Sequence, residues 1–255
     1  MSEVDLSKKK EQTKQAPTTE EDSKLVKQQQ EDIMAPNSGE VVGEVGDDDF
    51  KLPTMHITQK IGPLSEMFNP GEIVLNKEVP LINGDTKQEK NKDNFLELTV
   101  LRIQKKYEEK LDYNDDEIPR IVTSLQEVYN LGGEVAWEKD ANGKTIEPTW
   151  QPIATLLALI KDPTGEDDLN FPFEYDGNKY TVVTWTVRGG AYRSAAQEVF
   201  TAEKFYYRQG LRTGSFKLTC PFYKYPNGNS SYLATLRKHS KNSKEFTDWL
   251  NDFGL

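Results

Sequence analysis

Around the dipeptide Asn227-Gly228 the chain sets tyrosines beside cations: Lys217, Tyr223, Lys224, Tyr225, Tyr232, Arg237 and Lys238. A phenol ring offers a π face on which an unpaired base can stack, for about 1–3 kcal/mol per base without reading sequence, while a neighbouring ammonium or guanidinium neutralises phosphate. That combination suits single-stranded nucleic acid. Upstream, Arg188, Arg193, Arg208 and Arg212 are candidates for the phosphate side of the same surface.

Catalytic chemistry has little material. Cys220 is the only cysteine, and His56 and His239 are the only histidines, which excludes an internal disulfide and any zinc site built on several cysteines. No Walker-type phosphate loop, nucleophile elbow or histidine pair at metal spacing occurs. Asp115-Asp116 reads as a solvated turn, and Glu97 with Lys105 lacks the spacing of an acid-metal nuclease. A magnesium site of carboxylates alone stays open. The expectation is a non-catalytic binder with no cofactor and no metal.

The whole-chain charge of −10 hides a strong polarity. Between Lys179 and Asn242 eleven Lys and Arg face only Glu198 and Glu203, a local +9 that leaves −19 for the rest. Such a segment attracts polyanions whatever the overall pI.

Elements that must position these residues follow from pattern. Asn227-Gly228 predicts a two-residue hairpin turn. That register puts Tyr225 opposite Ser230, Tyr223 opposite Tyr232 and Phe222 opposite Leu233. Phe216, Leu218, Cys220, Phe222 and Leu233 then share a core face, and Lys217, Thr219, Tyr223, Tyr225, Tyr232 and Lys238 an outer one. Pro221 has no N–H to donate and marks an edge or bulge.

Asp176-Gly177 predicts a second hairpin between FPFEY and KYTVVTWTV, with Trp185 buried. FLELTVLRIQKKYEEKL reads as a long strand, with a helix over 101–111 as the alternative, and PIATLLALI as a buried strand. The spacing of Ala195, Val199, Ala202, Phe205 and Tyr206 predicts a helix capped by Gly210, with Tyr192 and Tyr206 packed and Tyr207 less so. Ser124 caps a short helix, SLQEVYNL, and a C-terminal helix from Ser243 carries Phe246, Trp249, Leu250 and Phe253 on one stripe.

Residues 1–49 hold no aromatic residue and no apolar period, and are expected to form a disordered polar, acidic arm. The body is expected over 50–242 and an amphipathic tail over 243–255. No apolar run is long enough to span a bilayer and no signal peptide is visible, so a cytoplasmic protein without membrane contact is expected. The fold class predicted is α+β, mainly antiparallel β, as an OB-like barrel or a curved sheet, with one long helix and a C-terminal helix.

The blocks LPTMHITQKIGPLSEMFNPGEIV, SLQEVYNLGGEVAW and AYRSAAQEVFTAEKFYYRQGLRTGSFKL resemble a group of tailed-bacteriophage proteins, some described as single-stranded DNA-binding proteins. The resemblance covers roughly residues 50–240. It implies an OB-like barrel and single-stranded DNA binding in phage replication or recombination, in the cytoplasm of the infected host. DWLNDFGL is similar to the acidic, aromatic tips with which such proteins bind replication proteins, but lacks the long acidic run before the tip, and a packed helix is the preferred reading. The rival of a different class is a phage structural or assembly protein that uses the aromatic face as a protein–protein interface.

Overall fold

Phe95 to Leu111 alternates apolar with polar residues, and in the computed structural model this stretch is the strand on which the sheet is built. The structure describes residues 51–82, 95–111, 117–163, 165, 169–226 and 228–252. The expected arm, the loop 86–93 with its preceding Asn83-Gly84-Asp85 turn, Asp115-Asp116, Asn227 and Phe253 lie outside them.

The strands in chain order are β1 (Met55–Ile57), β2 (Ile73–Leu75), β3 (Val79–Ile82), β4 (Leu96–Glu109), β5 (Ile121–Val122), β6 (Glu138–Lys139), β7 (Thr145–Ile146), β8 (Trp150–Lys161), β9 (Phe173–Tyr175), β10 (Asn178–Val187), β11 (Gly214–Thr219), β12 (Phe222–Lys224), β13 (Ser230–Tyr232) and β14 (Thr235–Lys241). The helices are α1 (Leu125–Asn130), α2 (Gln197–Phe205) and α3 (Lys244–Asp252). A single π-helical turn, Tyr192–Ala196, leads into α2.

The main sheet runs β14-β11-β4-β8-β10-β9, with β5 also paired to β4. Among the described residues every strand pairing within it is antiparallel. Its outer strands β14 and β9 are not joined to each other, so of the two expected forms it is the open sheet and not a closed barrel. Three small antiparallel sheets stand beside it: β1-β2-β3, β6-β7 and β12-β13.

Alternation gives the sheet two apolar faces. On one, Leu98, Val100, Leu156, Ala158, Trp185, Phe216 and Leu236 meet Ala195 and Ala196 of the π-helical turn and Val199 and Ala202 of α2, together with Met55, Ile73 and Leu75. On the other, Leu159 and Val182 take Leu250 of α3, flanked by Phe246 and Trp249. Tyr175 and Tyr180 receive the Phe246 and Trp249 rings with centroids 5.0–5.6 Å apart. The tail helix is thus packed onto the sheet within the compact unit Leu52–Leu255. Ser124 Oγ accepts from the Glu127 amide (3.2 Å), so the predicted cap forms, and Ser243, at which the C-terminal helix is expected to begin, caps it by accepting from the Phe246 amide (3.1 Å).

The Asp176-Gly177 hairpin forms with φ of 49° and 69° at its two turn residues, as a type I′ turn requires. No helix of the described residues is long and apolar enough to cross a membrane.

Candidate nucleic-acid interface

The β12–β13 hairpin departs from its expected register by one residue. Phe222 pairs with Tyr232, Tyr223 with Ser231 and Lys224 with Ser230, and the Tyr225 amide donates to Asn229 O (2.8 Å). Pro226 is the cause: its fixed φ suits the first position of a type I turn, so the cross-strand hydrogen bonding ends at Tyr225 and Pro226 enters the loop instead of pairing. Gly228 closes it at φ 88°, with its N–H on Tyr225 O (3.0 Å). A slip of one residue exchanges the faces of the returning strand.

Tyr232 therefore lies on the opposite side from Tyr223 and Tyr225. Its ring faces Phe222 (centroids 5.4 Å), and its backbone is bracketed by Gln59, whose side-chain amide both donates to and accepts from it. Leu233 moves the other way and packs on Gly190 with Tyr225: a Cβ there would stand 2.8 Å from the Tyr225 hydroxyl and 2.9 Å from Leu233. Phe222, expected in the core, is exposed beneath Lys60, whose ammonium is 4.2 Å from its ring centroid.

The single surface expected from sequence is divided among several places. Tyr223 and Tyr225 stay together, edge to face at 4.8 Å, and Tyr225 reaches a cleft with Arg193. Arg188 and Tyr232 line a separate recess of about 540 Å³, where Arg188 is paired at 2.9 Å with the buried carboxylate of Glu108. Lys224 is exposed on the Phe222 side.

Lys217 and Arg237 are cross-strand neighbours; Lys217 sits 4.0 Å over the Phe95 ring and Arg237 is 3.9 Å from Glu198. Lys238, expected on the same face as Lys217, pairs opposite the buried Phe216 instead and reaches Glu198 at 3.7 Å. Arg212 is occupied by the tail, donating to Leu250 O and Asn251 Oδ1 (both 3.2 Å). Arg208 is exposed at the far end of α2.

The cleft that holds Tyr225 and Arg193 has a volume of about 400 Å³. It is lined by Gly189-Gly190, Tyr192, Trp137, Pro148 and Trp150, together with Lys110, Gln151 and Gln197. Trp137 is 57% exposed, and Lys110 lies 5.5 Å over its ring while also pairing with Glu147. No lining residue is a carboxylate. Arg193 makes no ion pair among the described residues.

Trp137 and Lys110 were not foreseen. The only available signal was a tryptophan in a stretch without apolar period, between Gly132-Gly133 and the Asp140–Lys144 turn, where nothing calls for a buried ring. That turn forms, with Asp140 Oδ1 accepting from the Asn142 and Lys144 amides (2.8 Å each).

The Tyr192, Tyr206 and Tyr207 expectations resolve differently from one another. Tyr192 is buried as expected, but α2 ends at Phe205, well before Gly210, and Tyr206 is exposed while Tyr207 is buried. Ala202 O accepts from both the Tyr206 and Tyr207 amides, which turns Tyr207 under the helix, edge-on to Phe216 at 5.5 Å, with its hydroxyl donating to Ser215 O (3.0 Å). Gly210, at φ 113°, opens the following 3₁₀ turn, Leu211–Thr213, instead of closing the helix.

Cys220 packs against the core, and burial pushes its thiol up to about 12, far from a nucleophilic thiolate. Among the described residues no group of three or more His, Cys, Asp or Glu is placed to hold a metal ion. No protein-family model, curated protein or solved structure matches the chain.

Proposed function

We propose that this chain binds single-stranded DNA without catalysis and without sequence preference, holding unpaired bases in the cleft between Tyr225 and Trp137. The observation that supports this most is the cleft's composition. The exposed Trp137 indole, the half-buried Tyr225 ring, two cations and two glutamine amides line a cleft of about 400 Å³ that no carboxylate lines. Rings give every base a stacking partner, cations follow the backbone, and amides reach base edges. On the resemblance to tailed-phage proteins we extend the reading to replication or recombination in the cytoplasm of the infected cell, with replication proteins as further partners.

Tryptophan fluorescence tests it. Trp150 and Trp185 are buried and Trp249, on α3, is packed against Tyr175 and Tyr180, so Trp137 is the ring a bound base reaches. A dT oligonucleotide should quench the native chain, and Trp137→Phe should remove most of the quenching while anisotropy shows affinity within a few-fold. Tyr223→Ala should weaken binding about fivefold or more. The absence of both quenching and an anisotropy change at low salt would reject the reading in favour of an assembly protein whose aromatic face meets protein.

A further inference from the structure

The end of α2 carries a second surface that the packing of the core does not require. Because Ala202 O takes both following amides, Phe205 and Tyr206 are left side by side at 58% and 56% exposure. Lys204 lies 5.8 Å over the Phe205 ring and Lys238 3.3 Å over the Tyr206 ring. Both rings open on a groove of about 780 Å³ whose other walls include Arg208, Lys241 and Lys244. Those three cations make no ion pair among the described residues, and Asp248 is the one carboxylate among the groove's lining residues.

Two adjacent exposed aromatic rings on their own would invite association with any apolar surface. Surrounded by five cations, they match a ligand that is itself both aromatic and anionic. Lys238 covers one face of Tyr206, and the residue as a whole is still more than half exposed.

We propose that this groove is a second contact for the same single strand, stacking one or two bases on Phe205 and Tyr206 and holding their phosphates on Arg208, Lys241 and Lys244. The proposal rests on the single-strand reading of the Trp137 cleft and gives that strand a direction. Gln197 lines the cleft and Phe205 the groove, on one helix. At about 1.5 Å per residue they are about 12 Å apart along its axis. At about 3.4 Å between stacked phosphates that is some four nucleotides, so a strand of roughly eight or more reaches both, within the range of about 4–16 found for single-strand domains.

The test is the length dependence of binding by the full chain. Native protein, Phe205→Ala/Tyr206→Ala and Arg208→Ala/Lys244→Ala are titrated with dT oligonucleotides of about four and about twelve residues. All four side chains are exposed, and thermal melts read by circular dichroism check that the variants fold. Native protein should bind the long oligonucleotide about tenfold or more tighter than the short one. Both variants should bring the long one to within about twofold of the short, leaving the short unchanged. Variants that match native affinity for the long oligonucleotide would overturn the second contact while leaving the cleft standing, and so would an equal loss for both lengths. No binding of either length by native protein would overturn the single-strand reading itself and this proposal with it.

Discussion

A thiol that burial holds near 12 is almost entirely protonated at neutral pH, so Cys220 is expected to be inert. Native protein at pH 8 should react with a chromogenic disulfide far more slowly than after unfolding in urea, and rapid native labelling would contradict its packed position. Two glycines are fixed by neighbouring rings and not by their backbone angles. A Cβ on Gly214 would stand 2.1 Å from the Tyr207 ring, and one on Gly133 would stand 2.2 Å from the Trp150 indole. Gly214→Ala must displace Tyr207 from Phe216 and from the Ser215 carbonyl, and overpacking of this kind costs about 1–3 kcal/mol. Urea melts should show that loss, and an unchanged midpoint would mean that the Tyr207 seat is looser than described.

At the scale of elements, the helix that closes the second face of the sheet depends on few contacts. Leu250 is buried against Leu159 and Val182, so Leu250→Ala should cost about 2–5 kcal/mol and release α3 from Tyr175 and Tyr180. A red shift of Trp249 emission would report the release. Elements were legible in the sequence where a local rule acted alone: Asp176-Gly177 demanded a two-residue turn, Ser124 and Ser243 capped the helices that follow them, and the alternation from Phe95 made one strand. Asn227-Gly228 obeyed the same turn rule but stood next to Pro226, whose ring claims a loop position. That one residue moved Tyr232, Leu233 and Lys238 to the faces opposite those expected. Periodicity likewise marked the buried stripe of α2 but not its end, so Tyr206 and Tyr207 exchanged roles.

Over the whole molecule, buried acids set the alkaline limit. Burial raises Tyr180 to about 12 from 10.0 and Cys220 to about 12 from 9.0, and it also raises Tyr192 and Tyr207. Each group gives up its proton more readily when unfolded, so the stability it contributes is complete below the unfolded value and is lost as pH rises from about 9 towards 12. Urea midpoints should be level from pH 7 to 8.5 and fall steeply above pH 9.5, whereas a flat profile to pH 11 would contradict these burials. The local +9 between Lys179 and Asn242 is divided by the fold. Some of it is held by Glu108, Glu198 and the end of α3, and some is left open at Arg193, Arg208 and Lys241. The open part is the part that can exchange salt for phosphate. The most direct measurement is therefore the affinity of native protein for a dT oligonucleotide of about twelve residues across a series of salt concentrations. The account predicts that log affinity falls linearly with log salt, with a slope near −0.7 per phosphate neutralised and a total of about −2 or steeper. Undetectable binding at low salt, or an affinity indifferent to salt, would contradict it.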